Sequence, residues 1–170
     1  GDVTMLWEEH TFYFTKQTGE LFLERNGFNV LYSWRYENAV EDSIVYIAER
    51  SGCKKQQISS PLDEQYIADI YEYPVKIHKR TQYLKSLINR ELERGRSAII
   101  FGAGHLASTF IELNGIGRHI DFAVDNNPNK IGLYLPTSSS IEILDSASLR
   151  DANVGICFLT SNPLSHGQII

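Results

Sequence analysis

The chain has 170 residues, of which 42% are hydrophobic and 22% charged, with a formal net charge of −5. That is one domain or a little more, with enough apolar material for a real core, and its acidic balance excludes a generically basic nucleic-acid-binding surface. No apolar run approaches the ~18 residues of a membrane span, nothing resembles a signal peptide, and two distant cysteines, Cys53 and Cys157, make neither a disulfide framework nor a zinc site.

Cysteine usage of this kind fits a reducing, cytoplasmic setting. Gly1 in place of an initiator Met and the stop at Ile170 read as a piece of something longer. Residues 1 to 14 open with a polar–aromatic string, LWEEHTFYF, that has no clean period. Thr15 to Asn26 predicts a short helix, with Thr15 as N-cap and Gly27 at the C′ position; Gly19 weakens it. Asn29 to Tyr36 and Ser43 to Glu49 are rich in β-branched and aromatic residues, and the polar link between them predicts an antiparallel pair. Trp34 and the nine tyrosines read as core and hairpin packing. Ser51 to Ser60 reads as a linker.

Ser60-Pro61 then opens a long helix, Ser as N-cap and Pro at the first helical position. Tyr66, Ile67, Ile70, Tyr73, Ile77, Leu84, Leu87, Ile88 and Leu92 recur at helical spacing. Pro74 is expected to kink or split this helix near Tyr73, and Gly95 to end it. The basic group Lys76, His78, Lys79 and Arg80 reads as a solvated helix face, with a phosphate patch as the alternative. From there the rhythm becomes strand and helix in alternation. Ala98 to Phe101 is a strand, Leu106 to Leu113 a helix closed by Asn114-Gly115, and Ile120 to Val124 a strand. Ile141 to Leu144 leads into a short helix near Ser146 to Asp151. Val154 to Leu159 is a strand of the buried type, broken at Asn162-Pro163. Such alternation predicts a parallel sheet.

Gly102, Ala103, Gly104, His105, Leu106 and Ala107 fit G-x-G-x-x-A between a strand and a helix. The first Gly permits the tight turn, the second lets backbone approach a phosphate, and the third small residue lets helix pack on strand. N–H groups at the helix start face an anion, aided by the dipole. Asp125 follows Gly102 by 23 positions, at the end of the next strand, where an acid can bind ribose hydroxyls. This reads as a nucleotide or nucleotide-sugar site, with His105 a candidate phosphate contact. The bland alternative is a strand-to-helix turn in a scaffold that holds no ligand. Near the start, Glu9, His10 and Tyr13 set a carboxylate, an imidazole and a phenol close together. A Glu beside a His can raise its basicity for work as a general base. Adjacent residues of a strand point apart, so a surface segment with scattered aromatics is the competing reading.

Glu9-His10 with Tyr13, then a helix ending in Asn26-Gly27-Phe28, resembles the end of the catalytic domain of sugar C-methyltransferases. The part from about Leu62 onward is similar to their C-terminal domain, through FGAGHLAST (101–109), VDNNPNKIGLYLP (124–136) and a last strand ending at Asn162. Two positions depart from the pattern: Trp7 stands where the string has its first Tyr, and Leu106 where some relatives carry a Lys. Such enzymes methylate a carbon next to the keto group of a nucleotide-linked sugar, using S-adenosylmethionine. The resemblance implies His10 as the base, Glu9 as its partner and Tyr13 as a supporting group. It implies Gly102, Ala103, Gly104, His105 and Asp125 as substrate-binding residues. The donor's glycine-rich loop lies far upstream of Glu-His in that family and is not in this chain. S-adenosylmethionine is therefore expected on the full-length enzyme and not on this chain, which alone is expected to be inactive.

The fold expectation is α/β: a Rossmann-like parallel sheet with flanking helices, preceded by a helix and an antiparallel β-hairpin. The expected divisions are 1–50, a remnant of the catalytic domain; 51–61, a linker; and 62–170, the long helix with the Rossmann-like domain. The expected partner is a nucleotide diphosphate sugar; nucleic acid, membrane and metal are not expected, and an oligomer is compatible with this reading. Two alternatives stand beside it: a non-catalytic nucleotide-binding or assembly module, and an NAD-binding domain fragment. The second is suggested by the glycine loop and Asp125 but lacks nicotinamide-side chemistry.

Overall fold

The computed structural model describes residues 12–37, 42–51, 64–162, 164 and 166–169. The described residues divide into two compact units: those up to 75 form one, and those from 76 onward the other. No helix among the described residues is long and apolar enough to cross a membrane.

In the first unit, α1 (Lys16–Arg25) starts at Thr15 with a capping box: Thr15 Oγ1 accepts from the Thr18 N–H, and the Thr18 side chain accepts from the Thr15 N–H. It ends at Gly27, whose φ of 81° is the left-handed conformation glycine tolerates best. β1 (Phe28–Tyr36) and β2 (Ser43–Arg50) then pair antiparallel, with a bulge between Val30 and Tyr32. α1 meets this hairpin through Glu20, which accepts from Ser33 Oγ, and through the Tyr46 phenol, which donates to the carbonyls of Thr15 and Lys16. Tyr32, Trp34 and Tyr36 stack edge-to-face along β1. Tyr32 and Tyr36 remain exposed, so their packing is against the hairpin itself and not in a core.

α2 (Glu64–Leu92) runs 29 residues with Pro74 inside it. Of the expected kink or split near Tyr73, the split does not occur. A proline removes one N–H and its ring crowds the carbonyl four residues back, a local loss that the bonded turns on both sides outlast. α2 closes in a Schellman turn: the Gly95 N–H donates to Leu92 O and the Arg96 N–H to Glu91 O.

The second unit is α/β. β3 (Ser97–Phe101), β4 (Phe122–Val124), β5 (Ile143–Leu144) and β6 (Val154–Leu159) form one parallel sheet in the order β5-β4-β3-β6. The chain 132–135 returns beside β5, with Gly132 N–H donating to Ile143 O and Leu135 N–H to Ile141 O. α3 (His105–Asn114) follows β3 and also ends in a Schellman turn at Gly115. One face of the sheet presents Ala98, Ile100, Ala123 and Ile143 to Ala107 and Ile111 of α3 and Ile88 of α2, all buried in one cluster. Ile99, out of phase with its neighbours, is buried as well, on the other face. Strand β6, expected to be buried, is an edge strand: no residue in it is fully buried, and Cys157 is exposed.

Candidate functional site

Strand order decides where a crevice can form. From β3 the chain winds through β4 and β5 on one side, then returns to place β6 on the other side of β3. In open α/β sheets ligands bind beyond the carboxyl ends of the strands at such a switch point. Here those ends are Phe101 and Leu159, which are register partners, and the loops that follow are 102–104 and 160–162.

The first loop is fixed from three sides. Gly102 has φ of 99°, and a Cβ there would lie 3.1 Å from Ser161 N, so both conformation and space demand glycine. The Gly102 N–H donates to Val124 O at 2.9 Å, tying the loop to β4. Thr160 Oγ1 donates toward the carbonyls of Phe101 and Gly102, at 3.1 and 2.7 Å, tying it to the end of β6. Ser161 Oγ is buried there with no hydrogen-bond partner among the described residues.

Gly104 is different. It is the N-cap of α3 with φ −112° and ψ −174°, an extended conformation open to any residue. A Cβ on it would meet nothing within 4 Å. It offers no side chain to cap the helix, although Ser, Thr, Asp or Asn would stabilise this position. The fold therefore gives no reason for glycine at 104. Gly104 and His105 are exposed, while Ala103 and Ala107 are buried beneath them.

Asp125 closes the site from the end of β4. Its Oδ2 accepts from the Ala103 N–H at 2.8 Å and from Lys130 Nζ at 2.9 Å; its Oδ1 accepts from the Asn127 N–H at 2.9 Å. Burial works against its ionisation. The Asn127 N–H, Lys130 and the Ala103 N–H outweigh that and hold the carboxyl below its ordinary range. Asp125 thus lies beside the glycine loop, but most of its acceptor capacity is already used inside the protein. Lys130, within the VDNNPNK stretch but not among the expected site residues, brings a cation to the site. Thr160, also missed, had no signal beyond ending an apolar strand.

The structure thus brings Gly102, Ala103, Gly104, His105 and Asp125 together in the second unit. Tyr13 belongs to the first unit and is half exposed. Glu9 and His10 lie outside the described residues.

A glycine loop at a switch point, locked to an acid that also holds a lysine, does not by itself name a family. A family model described as C-methyltransferase C-terminal domain matches residues 43–160, well over half of the chain. The chain belongs to that family. A comparison with curated proteins finds no match. The C-methyltransferase C-terminal domain match takes in β2, α2, the whole parallel sheet and the first loop of the crevice, and ends at Thr160, where the second begins. Glu9, His10 and Tyr13 precede it.

Proposed function

We propose that this chain is the substrate-side part of an S-adenosylmethionine-dependent C-methyltransferase acting on a nucleotide-linked keto-sugar. Its loop 102–105 receives the diphosphate. Membership of the C-methyltransferase C-terminal domain family supports the reaction class. The observation that carries the ligand role is Gly104, a glycine at a helix N-cap where neither backbone angle nor space requires one. A residue without a side chain lets a phosphate approach the first N–H groups of α3, where the dipole favours an anion. Lys130 supplies a nearby positive charge, held in place by Asp125. A ribose contact through Asp125 would have to compete with Ala103, Asn127 and Lys130, which counts against an NAD site more than against a sugar-nucleotide diphosphate.

In the parent enzyme His10 is the proposed base for the proton alpha to the keto group, Glu9 its partner, and Tyr13 a donor to the enolate oxygen.

Gly104→Asp separates ligand binding from folding. An Asp N-cap stabilises α3 by about 0.5–1 kcal/mol, yet sets a carboxylate where the phosphate would lie. Calorimetry with UDP-glucose and dTDP-glucose, and NAD as control, is expected to give heat with a sugar nucleotide and none with NAD. Gly104→Asp should lose that heat while its melting temperature rises or holds. Equal binding by Gly104→Asp, or no heat from either sugar nucleotide, would remove the loop from the site. For the base, His10→Ala in the parent enzyme should abolish methylation; retained turnover would exclude His10.

A further inference from the structure

The end of the parallel sheet away from the glycine loop carries more positive charge than the fold uses. Arg90 stands in the last turn of α2, and Arg94 and Arg96 lie just beyond it, before β3. All three converge on Glu91. Arg90 Nε and Arg94 Nη1 lie 3.2 and 3.3 Å from the same oxygen, Oε1, and Arg96 holds Oε2. The carboxylate is buried, while the three arginine side chains are 57%, 57% and 37% exposed. Their guanidinium groups are thus gathered at one place and still face water.

One carboxylate neutralises one of the three charges. Among the described residues no second carboxylate pairs with any of them, so two positive charges are left over. A helix C-terminus favours a cation in its last turn, which accounts for Arg90. The carbonyls of Glu91 and Leu92 already accept from the Arg96 and Gly95 N–H groups. That capping leaves Arg94 and Arg96 little to offset at the helix end, and it lessens the repulsion an anion would meet there. Each guanidinium has five N–H donors in a planar fork, of which Glu91 engages one nitrogen. Arg96 Nε is buried and meets no acceptor among the described residues. A surplus of two charges with unused forks matches a phosphate monoester, which carries about −1.5 to −2 at neutral pH and three acceptor oxygens. Arg96 precedes β3 and the loop 102–104 follows it, so this place and the glycine loop are about 20 Å apart along the strand.

We infer that Arg90, Arg94 and Arg96 form a second anion site, for a doubly charged phosphate group, with Glu91 as the buried acid that holds them together. This is independent of the methyltransferase reading. Calorimetric titration of the full chain in chloride buffer at neutral pH tests it, with inorganic phosphate and glucose 6-phosphate as dianions and singly charged dimethyl phosphate as control. Both dianions are expected to give heat, the tighter of the two naming the source of the phosphate, and the diester none. Arg90→Gln/Arg94→Gln should weaken the dianions by about tenfold or more. Arg90→Lys/Arg94→Lys keeps the charge beside Glu91, and with it the fold, but loses the forks; it too should bind several-fold more weakly. Gly104→Asp closes the other anion position, and the dianion heat should persist in it. No heat from either dianion, equal heat from dimethyl phosphate, undiminished binding by both arginine variants, or heat that vanishes with Gly104→Asp would each overturn the proposal.

Discussion

Gly19 sits inside α1, where a glycine costs about 1 kcal/mol relative to alanine. From the sequence it could only count against the helix. The reason for it lies on β2: a Cβ at 19 would fall 2.1 Å from the Tyr46 phenol oxygen and 2.6 Å from Cζ. Alanine would push the ring aside and take the phenol from the Thr15 and Lys16 carbonyls. Gly19→Ala is therefore expected to lower stability by about 1–2 kcal/mol, since overpacking outweighs the gain in propensity. Urea unfolding measures it, and a stabilised variant would show that α1 and β2 part at no cost. Asp125 carries a second lesson. Its place at the end of β4 was legible from spacing alone. That its oxygens answer Ala103, Asn127 and Lys130 was not, because the partners come from a fold-dependent approach of two loops. Its carboxyl is held low, so its stabilisation is present above the ordinary Asp pKa, about 4, and is lost as pH falls through the lower folded value. Asp125→Asn should flatten the acid limb of the stability curve in that window. An unchanged acid limb would mean that Lys130 and the two N–H groups do not hold the charge.

Among elements, the junction of α2, β3 and β6 turns on one buried carboxylate. Glu91 is 4% exposed. Its Oε1 pairs with Arg90 Nε at 3.2 Å and Arg94 Nη1 at 3.3 Å, and its Oε2 with Arg96. Gly155 of β6 lies against it: a Cβ there would meet Glu91 Oε2 at 2.7 Å and Arg96 Cβ at 2.8 Å. Helix end, turn and edge strand are thus fitted around one side chain, with the three arginines reaching out to water. Gly155→Ala is expected to cost about 1–3 kcal/mol, the range for an added methylene in a packed site. Differential scanning calorimetry checks this, and an unaltered melting temperature would mean that β6 moves off α2 freely. Sequence reasoning found these elements, because helix caps, the turn glycines Gly95 and Gly115 and apolar runs are local signals. At Pro74 the helix is not split, because its survival depends on the turns to either side. The run Val154 to Leu159 looks like a central strand because composition reports strand type, not whether a neighbour lies on one edge or two.

At the scale of the whole chain, burial is very unequal. The hydrophobic cluster belongs wholly to the second unit, with Ile88, Ala98, Ile100, Ala107, Ile111 and Ala123 all at zero exposure. In the described residues from 12 to 51, Gly19 alone is buried. A two-stranded hairpin is at best marginal by itself, and α1 buries only Gly19 among its residues. Local opening free energies follow buried apolar contact. Native-state hydrogen exchange should then rank the amides by place in the fold. Ile99, Ile100, Ala123 and Val124, in strands paired on both sides and buried, are expected to exchange last and to report global unfolding. The amides of β1 and β2 should exchange through a cheaper opening, at urea concentrations that leave the parallel sheet protected. If β1 and β2 instead exchange with β3 at the global rate, the two units unfold as one. The exposed face of Tyr32 and Tyr36 would then need a covering layer that the described residues do not supply.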